Sequence, residues 1–189
     1  MVQKDDPMRL IPFAALLTAG FLSACAAFQS PPVSNTTVPE PRTPVDLDRY
    51  LGAWYEQARF DHSFERGCSD VSAEYALRDD GKISVLNSCV KDGKPKVTEG
   101  VATLADPGDS TKLKVSFFGP FKGDYWILDH AEDYAWSIVG EPSGRYLWIL
   151  TRDKVISPET FDALAARAQG MGYSLEGLIR VDQSGPVRE

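Results

Sequence analysis

The sequence predicts an all-β domain: an eight-stranded up-and-down antiparallel barrel with one C-terminal α-helix packed outside it. Three observations carry that expectation. Short stretches rich in β-branched and aromatic residues follow one another closely, each closed by a turn signal. Several of them alternate with period two, which gives a strand one apolar and one polar face. A single segment with helical punctuation comes only after the last of them.

The chain opens on residues 10–22, LIPFAALLTAGFL, an apolar run preceded by Lys4 and Arg9. It is short for a membrane span and reads as the core of a signal peptide. Asp5 and Asp6 depart from the usual basic start, which leaves Met8 open as the beginning beside Met1. Leu22-Ser23-Ala24-Cys25 follows, small residues that admit a peptidase and then a cysteine. Bacterial lipoprotein precursors are cut and acylated at this pattern. Residues 1–24 are thus expected to be a lipoprotein signal peptide and Cys25 the lipidated residue. Several acyl chains on one cysteine satisfy the rule that a single chain anchors only marginally. Ala26 stands where an Asp would commonly retain such a protein in the inner membrane. The expected address is the cell outer membrane, lipid-anchored, on its periplasmic face. Residues 25–44 are rich in Pro, Ser and Thr and read as a flexible tether, leaving 45–189 for the barrel domain.

Candidate strands are 53–60, 69–77, 82–90, 96–104, 111–118, 124–130, 134–140 and 145–151. Val71, Ala73, Tyr75 and Leu77 alternate with Ser72, Glu74 and Ala76, as Leu113, Val115 and Phe117 do with Lys112, Lys114 and Ser116. Arg78-Asp79-Asp80-Gly81 marks a tight hairpin between the second and third strands. Eight such strands close into a barrel just wide enough for a small ligand. Ser157-Pro158-Glu159-Thr160 then announces a helix, with a Ser cap and Pro at the first helical position. Its apolar stripe is Phe161, Leu164, Ala165 and Ala168, with Gly170 or Gly172 ending it. A helix cannot share the barrel's interior with a ligand, so it is expected outside. Leu178–Val181 adds a short strand to the sheet edge.

Composition narrows the function classes. At 189 residues and 43% hydrophobic, the chain is sized for one domain with a real core. A net charge of -7 argues against nucleic acid, which wants a basic face. His62 and His130 lack metal-site spacing, so no metal and no cofactor are expected. His62, in Asp61-His62-Ser63, reads as solvated loop polarity, and Glu65-Arg66 as surface charge. No phosphate-cradling loop or nucleophile elbow is present, so the chain is not expected to be an enzyme. Cys68 and Cys89 remain once Cys25 is acylated. A symmetric hairpin would set 68 opposite 91, and a bulge or diagonal placement brings 68 within reach of 89. An even pair in an oxidising compartment is usually bridged, which would add roughly 3 kcal/mol on the chain-entropy estimate. The rival use, a reactive thiol, lacks an obvious neighbouring base.

Four segments carry a family resemblance: YLGAWYEQARFDHSFERG (50–67), YALRDDGKISVLN (75–87), LKVSFFGPF (113–121) and YLWILTR (146–152). In this order and spacing the chain resembles the lipocalin family, its bacterial outer-membrane branch in particular, over most of residues 45–183. The resemblance implies that Trp54, in the Gly52-Ala53-Trp54 signature, plugs the closed end of the barrel. It places Arg152 across that indole as a cation–π partner. The family's Thr-Asp-Tyr motif is altered here to Asp129-His130-Ala131-Glu132-Asp133-Tyr134. The implied ligands are fatty acids or lysophospholipids, stored or transported for membrane maintenance under stress. Val115 and Trp148 are expected among the apolar lining, and the polar tips of Tyr75, Asn87, Tyr125 and Tyr146 are candidates for a head group near the mouth. Phe117, Phe118, Pro120 and Phe121 crowd one turn as a gate or docking lip. The same residues serve equally as barrel core or as a dimer contact, so a homodimer stays open. The rival functions are a lipid-modifying enzyme on the same scaffold and a structural envelope protein with a filled barrel.

Overall fold

A computed structural model describes residues 40, 41 and 43–185. The expected signal peptide, Cys25 and most of the tether lie outside the described residues. One helical turn, α1 (Leu47–Tyr50), precedes eight strands: β1 (Gly52–Phe60), β2 (Cys68–Leu77), β3 (Ile83–Lys91), β4 (Lys94–Asp106), β5 (Asp109–Phe118), β6 (Phe121–His130), β7 (Trp136–Gly140) and β8 (Leu147–Thr151). Helix α2 (Pro158–Gly170) and strand β9 (Leu178–Arg180) complete the order. Every sequential neighbour pairs antiparallel, and β1 pairs with both β8 and β2, which closes the barrel. The eight expected strands and the late helix are all present. Helix α1 was not expected, and the seventh strand starts later than expected because Tyr134 takes a left-handed turn conformation.

Up-and-down connectivity sorts the loops by end. Turns after β1, β3, β5 and β7 gather at one end; α1 and the turns after β2, β4 and β6 gather at the other. The second end is sealed. Trp54 is fully buried and its indole N–H donates to the Tyr50 carbonyl at 2.8 Å. The Arg152 guanidinium lies 3.8 Å from the Trp54 ring and donates to the carbonyls of Arg49, Tyr50, Leu51 and Ala53. The altered motif after β6 clamps α1. The Tyr134 hydroxyl accepts from the Asp46 backbone N–H at 2.8 Å, and Arg49 packs over the Tyr134 ring.

Two large apolar clusters divide the molecule, beside a small one of Cys68, Val71, Cys89 and Val181. One fills the lower barrel; the other lies outside, between α2 and the outer faces of β1, β6, β7 and β8. The Ser157 hydroxyl caps α2 by accepting from Thr160 N–H, and Leu164, Ala165 and Ala168 turn inward onto Phe60, Leu128, Ile138, Leu147 and Ile149. Helix formation here is driven by that stripe more than by propensity. Cys68 sits opposite Lys91 and diagonal to Cys89, to which it is disulfide-bonded across 5.6 Å between Cα atoms, a normal span for the bridge.

One irregularity shapes the interior. β1 carries a bulge at Gln57, between the pairs Glu56–Leu150 and Ala58–Ile149. A bulge inserts one residue and so reverses the facing that follows. Trp54, Glu56 and then Arg59 point inward, while Ala58 and Phe60 join the cluster under the helix. Past Tyr55, β1 leaves β2 and takes β9 as its neighbour instead. The Gln183 side chain bridges the resulting gap, donating to the carbonyls of Glu56 at 2.7 Å and Val71 at 2.8 Å.

Candidate functional site

Residues directly opposite on paired strands share a face, so the register identifies the lining. Ile83 faces Ala102, which faces Val115; Leu113 faces Tyr125; Ile127 faces Val139, which faces Trp148. All of these belong to, or pack against, the cluster inside the barrel.

Exposure along each inward row then changes in one direction. On β3, Ile83 and Val85 are buried and Asn87 is half-buried; on β4, Ala102 is buried while Gly100 and Thr98 are half-buried. β5 repeats this from Leu113 to Val115 and Phe117, β6 from Ile127 to Tyr125, and β8 from Leu150 to Trp148 and Tyr146. Side chains that face inward yet remain reachable by solvent line a space open at the mouth. The floor is packed shut.

The expected polar contacts are distributed differently from the sequence reading. Tyr75 and Tyr125 do not stand near the mouth. The Tyr75 hydroxyl donates to Tyr125 at 2.9 Å, and the Tyr50 hydroxyl meets Tyr125 at 2.9 Å and Ser137 at 3.3 Å. Tyr75 pairs with Gly52, so this network lies in the lower barrel, where burial pushes the Tyr50 hydroxyl up to about 12 and raises Tyr75 and Tyr125 as well. All three stay protonated donors at ordinary pH. Asn87 is on the inner wall with its Oδ1 sealed from solvent and unpaired. Val115, Phe117 and Trp148 line the middle, with Phe117 packed over Gly100, where a side chain would collide with the ring at 2.7 Å. Tyr146 stacks against Trp148 with centroids 5.5 Å apart.

Phe118 stands at the lip and not in the lining. It is 72% exposed, and with Phe121 at 78% it forms an apolar rim outside the cavity, because the strands end there and the turn through Gly119 swings both rings outward. Trp126 and Trp136 also face away, toward α2. Trp148 is therefore the indole on the open part of the lining, with Trp54 beneath the floor.

A second correction concerns charge. His62 and Glu65 are not solvated loop polarity: residues 61–67 fold down over the upper end of β1, and His62 is buried. Arg59 Nη1 donates to Glu56 Oε1 at 2.9 Å and Nη2 to the Glu65 carbonyl at 2.9 Å. Glu65 Oε2 lies 3.0 Å from His62 Nε2 and 3.8 Å from Arg59 Nε. The His62 ring stacks on Phe64 at 4.0 Å and sits 5.5 Å from Trp148. Arg66, by contrast, is exposed and pairs with Asp61. Strict alternation on β1 hides this cluster, since it turns Arg59 outward; only the bulge at Gln57 brings it in. Among the described residues no group of His, Cys, Asp and Glu side chains is arranged to hold a metal ion.

Comparison with known proteins agrees with this geometry. The family model for a lipocalin-like domain matches residues 45–183. The chain is 42% identical over 180 residues to the outer membrane lipoprotein Blc of Citrobacter freundii, covering 94% of this chain and 99% of that protein. It is 32% identical over 158 residues to apolipoprotein D of Cavia porcellus, covering 76% and 82% of the two chains. Among solved structures it is similar to insecticyanin from the tobacco hornworm Manduca sexta, with a TM-score of 0.61 and 26% identity over 81% of this chain and 87% of that one.

Proposed function

The chain belongs to the lipocalin-like family, and from that premise we propose that it binds single-chain lipids, fatty acids or lysophospholipids, inside its barrel and stores or transports them at the outer membrane. The observation that carries this reading is the gradient of exposure along the inward rows, shut at Trp54 and open past Val115, Phe117 and Trp148. An acyl chain in such a space gains about 25 cal/mol for each Å² of apolar surface it buries. Tyr75, Asn87 and Tyr125 supply polar points within the lining, Tyr146 supplies one at the mouth, and Phe118 belongs to the rim.

Attachment rests on residues outside the described part: a signal peptide over 1–24, acylated Cys25, and a tether over 25–44. The names of the bacterial relatives, outer membrane lipoproteins, support that address. Carriage is favoured over catalysis because Cys68 and Cys89 are bonded to each other, which leaves no free thiol among the described residues. Cys25→Ser is expected to release the protein from the membrane and to abolish incorporation of acyl label. A variant that still fractionates with outer membranes removes the anchor from the reading.

The cavity itself is tested by a pair of neighbours. Val115 faces inward, while Lys114 faces out and pairs with Asp124. Val115→Asp places an unpaired carboxylate in the cavity at a cost of several kcal/mol, and lipid binding followed by Trp148 fluorescence should fall at least ~10-fold. Lys114→Asp should leave it within ~2-fold. Equal effects at the two positions, with both proteins folded by circular dichroism, mean that the ligand is not inside.

A further inference from the structure

The ionic cluster on the inner wall is out of keeping with the rest of the lining. Glu56 and Arg59 face inward opposite Leu150 and Trp148, positions at which the rest of the barrel uses apolar side chains. Charges withdrawn from water in this way stabilise a fold less than well-packed hydrophobic residues do. Their presence needs another explanation.

Their hydrogen bonding is incomplete. Each carboxylate already faces a nitrogen: Glu56 Oε1 is 2.9 Å from Arg59 Nη1, and Glu65 Oε2 is 3.0 Å from His62 Nε2. Arg59 Nε, both ring nitrogens of His62 and Glu65 Oε2 are sealed from solvent and have no hydrogen-bond partner of good geometry among the described residues. For Arg59 Nε the nearest acceptor of the cluster is the Glu65 carboxylate at 3.8 Å, beyond hydrogen-bond range. Burial, then the charge of Glu65, raises Glu56 well above the usual carboxylate range, and the proton it holds is shared with the Glu65 carboxylate. Arg59 Nε is thus a guanidinium donor buried on the inner wall without a hydrogen-bond partner among the described residues. A buried charged donor of this kind is satisfied by an oxyanion.

Resting on the lipid-binding reading above, we propose that Arg59, with Glu56 and His62 beside it, is the head-group subsite of the cavity. It takes an oxyanion, the carboxylate of a fatty acid or the phosphate of a lysophospholipid, in preference to an uncharged head on the same chain. The acyl tail then runs along Trp148, Phe117 and Val115 toward the tyrosine floor.

The test uses four probes with one oleoyl chain: oleate, oleoyl-lysophosphatidylcholine, oleyl alcohol and oleylamine, each titrated calorimetrically into wild type and Arg59→Gln. In wild type at least one of the two oxyanion probes should bind about tenfold tighter than the alcohol, the worth of one charge-assisted hydrogen bond. Which of the two does so separates a carboxylate site from a phosphate site. Arg59→Gln should erase that preference and leave the alcohol within about twofold. An alcohol that matches both oxyanions, an amine that binds tightest, or a variant that weakens all probes equally overturns the subsite. A wild type that binds none of the probes removes the lipid reading itself. Because Arg59→Gln alters a buried ion pair, a second measurement uses wild type alone. The carboxyl resonance of bound oleate labelled with carbon-13 at C1 should titrate at least ~1 pH unit below free oleate, as a carboxylate beside a guanidinium does. A bound carboxyl that titrates at or above the free value overturns the assignment.

Discussion

Removing the guanidinium at the closed end offers the sharpest check on how this barrel is held. Arg152 makes four hydrogen bonds to carbonyls of Arg49, Tyr50, Leu51 and Ala53, between 2.7 and 3.1 Å, and covers the Trp54 ring at 3.8 Å. Two of these bonds lie where solvent can replace them, and they are discounted. The other two contribute about 1 kcal/mol each, and the cation–π contact about 1 kcal/mol more. Arg152→Ala should therefore destabilise by about 3 kcal/mol, which for a domain of this size lowers the melting temperature by roughly 6–12 °C. Arg152→Lys keeps the charge but not the fork and should recover less than half of the loss. The assay is urea unfolding followed by tryptophan fluorescence, with scanning calorimetry for the melting temperature. A loss under about 1 kcal/mol would refute the reasoning, because it would mean that Trp54 and α1 are held by packing alone.

Reduction of the Cys68–Cys89 bridge, which joins residues 21 apart, should cost about 3 kcal/mol and leave a folded protein; recovery of both cysteines as free thiols from oxidised protein would contradict the bridge. A methyl at Gly140 would meet the Tyr173 hydroxyl at 2.2 Å and Leu128 Cδ1 at 2.9 Å, so Gly140→Ala should cost about 1–3 kcal/mol in chemical denaturation. Tyr173→Phe removes a buried hydroxyl that has no partner among the described residues, should be near neutral alone, and should rescue much of Gly140→Ala; no rescue means the clash is with Leu128 instead. Burial raises Tyr50 to about 12 and raises Tyr75, Tyr125 and Tyr173 above their unfolded value near 10, so their contribution to stability is whole below about pH 10 and is lost as pH climbs above that, through about 12 for Tyr50. Ultraviolet titration of native protein should show these four resisting ionisation until the fold opens, whereas all seven tyrosines ionising together near pH 10 would refute their burial.

What the sequence made legible follows the reach of each signal. Strands were readable because Val71, Ala73 and Tyr75, or Leu113, Val115 and Phe117, declare a face within a few residues. The late helix was readable because Ser157 and Pro158 punctuate it locally. α1 was not, since a single turn is unstable alone; it exists because Asp46 caps it while Tyr134 and Arg152 hold it from distant parts of the chain. The barrel interior was legible as a lining but not as a network. Facing alone put Tyr75 and Tyr125 inside, and nothing local revealed that their hydroxyls meet. Arg59 was missed for a definite reason: one inserted residue at Gln57 reverses its facing, and a bulge leaves no trace in a pattern of apolar and polar letters; His62 and Glu65 were missed because nothing local shows that their loop folds back onto it.

The seam between the first two strands bears on how the molecule is manufactured. β1 and β2 meet over four residue pairs only, and beyond them the join depends on the tail: Val181 N–H donates to the Gln57 carbonyl, and Gln183 reaches both sides. A ribosome delivers the chain from its N-terminus, so all eight barrel strands emerge ahead of the residues that seal them. Closure that joins the beginning of a chain to its end is also the slowest kind to form. Until the last stretch arrives the join between the first two strands rests on those four pairs alone, and a barrel with so short a seam is easier to pull straight and thread through a narrow pore.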